Sequence, residues 1–133
     1  MPKPIVYIVM LVAFGLLMLS NALARDLGQW GDVDPELKAW FESLRMPDNP
    51  VASCCGSADS YFCSEHATSA GQIYCIIDDE RDNLKLKRTP VENGTAILIP
   101  PHKLNKDPNM IGRAVVFLSS QQHVYCFISA SGS

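Results

Sequence analysis

The sequence predicts an α+β domain: one amphipathic helix near the start of the folded part, packed on a small antiparallel sheet of about five short strands. Such a sheet can curl into a partly open barrel. Three observations predict this. Leu37, Trp40, Phe41 and Leu44 fall at helical spacing on one apolar stripe. Short β-branched runs bounded by turn residues begin at Ile73. Between the two lies Ser53–Cys63, which holds three of the five cysteines and reads as a disulfide staple joining the halves.

The N-terminus sets the compartment. Lys3 precedes an apolar run from Ile5 to Leu19, and Ala22-Leu23-Ala24 is a small-x-small cleavage pattern. The run is shorter than the roughly 20 residues a spanning helix needs. Residues 1–24 are therefore expected to be a signal peptide cleaved after Ala24, leaving residues 25–133 as one small exported domain, periplasmic or secreted and without a membrane anchor. No cysteine stands at the cleavage point, so no lipid anchor is indicated. The chain carries a net charge of −3, and losing Lys3 makes it more negative. That disfavours nucleic acid as a partner, because binding phosphates needs a concentrated positive field.

From Arg25 to Val33 no period emerges, and Trp30 is expected to pack against the domain. The helix begins after Asp34, whose carboxylate can cap free N–H groups, with Pro35 at the first position and Glu36 at the positive helix end. It should end near Arg45 or Met46, since Pro47 disfavours helical geometry before it and Asp48-Asn49-Pro50 continues as a turn.

The cysteine stretch follows. Adjacent residues in extended chain point to opposite sides, so Cys54 and Cys55 should take different directions. A bond from this stretch to Cys63 would contribute about 2.5 kcal/mol on chain-entropy grounds, and one reaching Cys126 about 4 kcal/mol. Cys54, Cys55, Cys63 and Cys126 are the disulfide candidates, and Cys75 is expected to be the free thiol; the sequence does not choose the pairing. Cys63-x-x-His66 and His123-x-x-Cys126 also have ligand spacing, so a zinc site of Cys63, His66, His123 and Cys126 is the alternative. The oxidising compartment favours disulfides, and neither a metal nor another cofactor is expected.

Residues 64–72 read as a polar loop. Ile73–Ile77 and Leu84–Lys87 read as a hairpin across the charged turn 78–83, with Leu84 and Leu86 facing in and Lys85, Lys87 and Arg88 on a solvated face. Asp78, Glu80 and Asp82 alternate as in a calcium loop. However, Asn83 and Thr89 stand where such a loop needs glycine and a bidentate glutamate. Asn93-Gly94 marks a turn, and Asn93-Gly94-Thr95 fits a glycosylation acceptor, relevant only in a host that glycosylates. Thr95–Ile99 reads as a strand ended by Pro100-Pro101, and residues 102–111 as a surface connection. Arg113–Leu118 and His123–Ile128 form the final hairpin. Pairing Leu118 with His123 puts Val115, Phe117, Val124, Cys126 and Ile128 on one apolar face. Val116, Leu118, His123, Tyr125 and Phe127 then share the other. Cys126 points into the core, within reach of the cysteine stretch.

Leu44-Arg45 through Ser53-Cys54-Cys55 with Asp59 and Cys63, then Ile99-Pro100-Pro101, Gly112-Arg113-Ala114-Val115-Val116 and Tyr125-Cys126-Phe127, make up an order of motifs. It resembles that of small secreted proteins of alphaproteobacteria. The resemblance implies a Gram-negative periplasmic or secreted protein and brings no activity with it. Two positions depart from the pattern: a cysteine often stands where this chain has Phe117, and Cys75 has no counterpart, so the pairing of Cys75 stays open.

Enzyme signatures are sparse. Gly-x-Ser-x-Gly and Cys-x-x-Cys are absent, and Cys75 sits among isoleucines, where a thiol is inert. The resulting expectation is a non-catalytic binding or envelope-interaction module for an envelope or extracellular protein or polymer. The alternative is a thiol- or zinc-dependent enzyme using Cys75 or the Cys/His set. Tyr125 and Phe127, near His123, form a face that such a partner could meet; the favoured reading is that the helix covers it.

Overall fold

A computed structural model describes residues 34–55 and 58–131. The expected signal peptide, its cleavage point and Trp30 lie outside the described residues. Helix α1, Pro35–Ser43, starts as its sequence dictates: the Asp34 side chain accepts from the N–H groups of Glu36 (2.8 Å) and Leu37 (3.3 Å). It ends before the expected Arg45. Leu44 is already extended, and the chain enters a two-stranded ribbon, β1 (Arg45–Met46) and β2 (Asn49–Ser53), around Pro47-Asp48. Among the described residues no helix is long and apolar enough to cross a membrane.

The remaining strands are β3 (Asp59–Ala67), β4 (Ile73–Ile77), β5 (Ala96–Ile99), β6 (Leu104–Asn105), β7 (Ala114–Leu118) and β8 (Val124–Ile128). They form a curled, half-barrel sheet of six strands in the order β5-β4-β3-β7-β8-β6. All pairings are antiparallel except β6 with β8, which is parallel. The expectation of about five antiparallel strands thus missed the short parallel edge. Asn105 anchors that edge: it is buried, and its side chain donates to the Arg45 carbonyl at 2.9 Å and accepts from the Asp107 N–H at 2.7 Å.

Two expectations for the middle of the chain are corrected. Ser64–Ala67 are not loop but the end of β3, paired with Ile73–Ile76. The reversal is confined to Thr68–Gln72, where Gly71 supplies a φ of +81° and Thr68 N–H donates to the Gln72 carbonyl at 2.8 Å. Polar residues here mark a strand end with both faces wet. Leu84–Lys87 is the opposite case, a turn rather than a strand, with Leu84 88% exposed. The Asp82 carboxylate accepts from the N–H groups of Leu84 and Lys85, and Leu86 N–H donates to the Asp82 carbonyl, so local hydrogen bonds outcompete a four-residue alternation.

The core has two clusters, one on each face of the sheet. The inner cluster contains Tyr61, Cys63, Cys75, Ile77, Ile97, Ile99, Val116, Leu118 and Phe127. The helix-side cluster packs Trp40, Phe41 and Leu44 on Val115, Phe117, Cys126 and Ile128. The Phe41 and Phe117 rings meet edge-on at 6.1 Å, and Trp40 Nε1 donates to the Pro108 carbonyl at 3.0 Å. The expected facing of the last hairpin holds for Val115, Val116, Phe117, Leu118, Cys126, Phe127 and Ile128, but not for Val124 and Tyr125. A register shift pairs Phe117 with Cys126 yet Leu118 with Val124. This sends Val124 to the inner cluster and Tyr125 to the helix side.

One disulfide sits in each cluster. Cys54–Cys126 closes a sequence separation of 72 residues with a Cα–Cα distance of 5.7 Å, tying the segment after the helix to β8. Cys63–Cys75 joins neighbouring β3 and β4 with a Cα–Cα distance of 5.4 Å. Cys75 is therefore not the free thiol; Cys55 is. The expectation fails because the cysteine stretch and residues 64–72 read as staple and loop, whereas Asp59–Ala67 is a strand whose pairing with β4 brings Cys63 beside Cys75.

Candidate functional site

Each sequence-derived candidate can now be placed. Cys54, Cys63, Cys75 and Cys126 are bonded in pairs, and the proposed zinc ligands are not brought together. On a strand, positions i and i+3 face opposite sides, so Cys63 lies in the inner cluster while His66 is exposed. Cys126 lies in the helix-side cluster and His123 is exposed just before β8 begins. Among the described residues no group of three or more His, Cys, Asp or Glu is placed to hold a metal ion.

Cys55 is half-buried, and its Sγ donates to the Phe41 carbonyl at 3.4 Å. Burial first, then Glu42 and Asp59, push its thiol up to about 12. A nucleophilic thiol needs the reverse, a cationic neighbour or a base that favours the thiolate. Tyr125 and Phe127 do not share a face: Phe127 is fully buried in the inner cluster, and Tyr125 packs against the helix-side cluster, so the expected helix cover fits Tyr125 alone.

A groove of about 390 Å³ lies between the β1–β2 ribbon and β6, lined by Met46, Pro47, Pro50 and Leu104 with Arg45 and Asp107. It holds no histidine, cysteine or hydroxyl nucleophile.

The helix leaves part of its own side of the sheet open. Strand register places Phe62, Ser64 and His66 of β3, Tyr74 and Ile76 of β4, and Ala96 and Leu98 of β5 on that side. In it His66 pairs with Tyr74 and Tyr74 with Leu98, while Ser64 pairs with Ile76 and Ile76 with Ala96. The β4 and β5 residues belong to neither core cluster. Leu98 is 47% exposed, and Tyr74 and Ile76 are only partly covered. This outer face, apolar at β4–β5 and polar along β3, was missed at the sequence level. Its signal was the alternation in Ile73–Ile77 and Ala96–Ile99, where both sides of each strand are apolar.

One end of the outer face is cationic. Arg81 stacks on the Phe62 ring with Cζ 3.7 Å from the centroid, and Arg113 stacks on the same ring at 4.6 Å. Arg81 is held from behind by Asp79, whose carboxylate accepts from Arg81 Nε (2.9 Å), Arg81 Nη2 (2.6 Å), Arg88 Nη1 (2.8 Å) and the Phe62 N–H (2.9 Å). Arg88 is itself buried and stacks on Tyr61, whose hydroxyl donates to the Thr89 carbonyl. Burial alone would raise the Asp79 pKa. The hydrogen bonds from Arg81 and Arg88, then those from the Phe62 and Arg81 N–H groups, outweigh it and hold the carboxyl well below the usual range. One carboxylate thus faces two guanidiniums, and the surplus positive charge lies at Arg81, the more exposed of the two.

Compared with known protein families, with curated proteins and with solved structures, the chain matches none.

Proposed function

We propose that the chain is an exported, non-catalytic binding module whose contact surface is the outer face of β3, β4 and β5, and whose partner is an envelope or extracellular protein. The observation that carries this reading is the open, partly apolar face bearing Tyr74, Ile76 and Leu98 beside the Phe62–arginine corner. Apolar side chains gathered on one sheet face that the described elements leave partly open, flanked by stacked arginines, are what a protein contact uses. Export is supported by the Lys3–Ala24 pattern, by the motif order resembling small secreted alphaproteobacterial proteins, and by two disulfides, which an oxidising compartment maintains. A thiol- or zinc-dependent enzyme is disfavoured: the free thiol is Cys55, held protonated, and the Cys/His set is dispersed.

The test is site-specific photo-crosslinking in an exporting Gram-negative host, with the photoreactive residue at Leu98 or, as control, at Leu84, which is more exposed and lies off the face. A discrete adduct from Leu98 and none from Leu84 is expected. Identical smears from both positions, or no adduct at either, would count against the reading.

A further inference from the structure

Building on the reading of the outer face as a contact surface, we infer that its Phe62 corner is a carboxylate-binding site. Arg81 and Arg113 there receive an acidic side chain of an extended partner peptide whose apolar residue rests on Tyr74 and Leu98.

The argument begins with charge. Two guanidiniums stack on one ring, so two like charges stand no farther apart than their two distances from its centroid laid end to end. Each has spare donors. Arg81 spends Nε and Nη2 on Asp79 and on the Ser60 carbonyl, which leaves Nη1 without a partner among the described residues. Arg113 gives Nη2 to the Asp78 carbonyl at 2.9 Å and approaches the Asp78 carboxylate only to 3.6 Å. That ion pair is exposed on both sides, 47% and 58%, so it is weak and displaceable. An anion seated at the rim of the Phe62 ring meets both guanidiniums and the positive edge of the ring's quadrupole. Because Asp79 fixes Arg81 before any ligand arrives, little side-chain entropy is lost on binding there.

Geometry then sets the ligand's length. Leu98 pairs with Tyr74 and Tyr74 with His66, and Phe62 lies four residues from His66 along β3. Two strand spacings across and four residues along put the apolar row and the carboxylate site roughly 16 Å apart, the span of about five extended residues. The ligand is therefore an acidic peptide in extended form, with its carboxylate about five residues from a large apolar side chain.

The test is a titration of the isotopically labelled, oxidised exported chain with a short synthetic peptide. The peptide carries leucine and aspartate at that spacing, with serine and threonine between, and a companion carries asparagine in place of aspartate. Resonances of Phe62, Tyr74, Ile76 and Leu98 are expected to shift. The asparagine peptide should bind about tenfold more weakly. Arg113→Ala, a substitution outside the buried Asp79 network, should cost a similar factor, whereas Asp78→Asn should strengthen binding by removing the competing carboxylate. If both peptides bind equally and Arg113→Ala changes nothing, the carboxylate site is wrong while the outer-face reading survives. If the peptide shifts none of these residues although Leu98 still crosslinks to a partner, the acidic-peptide assignment is likewise overturned. If contacts from Trp30 to Leu98 are present in the free protein, the face is filled by the chain's own residues and the proposal fails. Loss of both the shifts and the Leu98 crosslink would sink the outer-face reading with it.

Discussion

Asp79→Asn isolates the network that supports the cationic corner. The substitution keeps the side chain's shape and removes its charge, leaving Arg88, whose side chain is 3% exposed, with no carboxylate. Breaking a buried ion pair by removing one partner costs about 3–5 kcal/mol. Arg81, 32% exposed, adds little because solvent screens it. For a domain of this size, 3 kcal/mol corresponds to a fall in Tm of at least roughly 12 °C. The assay is thermal unfolding followed by circular dichroism at pH 7, repeated toward acid. Because the folded carboxyl is held below its unfolded value, its contribution is complete above the unfolded pKa of about 3.9 and is lost as pH falls further toward the depressed folded value. The gap between wild type and variant should therefore be constant from neutrality down to about pH 5 and narrow below about pH 4. A variant within about 3 °C of wild type at pH 7, or a gap that widens in acid, would refute the assignment of Asp79 as a buried, stabilising anion.

Other substitutions probe the rest of the frame. Cys54→Ser with Cys126→Ser opens the long loop, whose separation of 72 residues gives an expected loss of about 4 kcal/mol by chemical denaturation. Cys63→Ser with Cys75→Ser, with a separation of 12, should cost less, about 3 kcal/mol. Native Cys55 should resist alkylation at pH 8, since a thiol at about 12 is ionised there to roughly one part in ten thousand, and denaturation should release it. Asp34→Ala removes the helix cap and should lower stability by about 1 kcal/mol in the same denaturation assay.

Local chemistry was the most legible part of the sequence. The helix start at Asp34-Pro35 and the stripe through Trp40, Phe41 and Leu44 follow from capping and period alone, and the structure uses them as read. The inward aim of Cys126 followed from alternation along β8 and made it a candidate partner of the cysteine stretch, with the pairing itself left open. What stayed hidden depended on partners distant in sequence. Ser64–Ala67 carry polar side chains, so their strand character comes only from pairing with Ile73–Ile76. Leu84–Lys87 alternate correctly, but the Asp82 carboxylate draws their N–H groups into a turn. The shift that separates Val124 from Cys126 is one irregular residue, invisible to a period of two. The candidate site was hidden for a similar reason: Arg81, Arg113 and Phe62 come from a loop, a strand approach and a strand, and only the sheet register brings them to one ring.

Two disulfides, one per core cluster, leave Cys55 as the one thiol, and burial keeps it protonated. Disulfide mapping tests this most directly: the oxidised protein is alkylated under native and then denaturing conditions, digested without reduction, and its linked peptides identified by mass spectrometry. The expected result is Cys54 linked to Cys126, Cys63 linked to Cys75, and Cys55 alkylated only after denaturation. A link between Cys54 or Cys55 and Cys63, or a Cys75 that takes up reagent in the native protein, would contradict it.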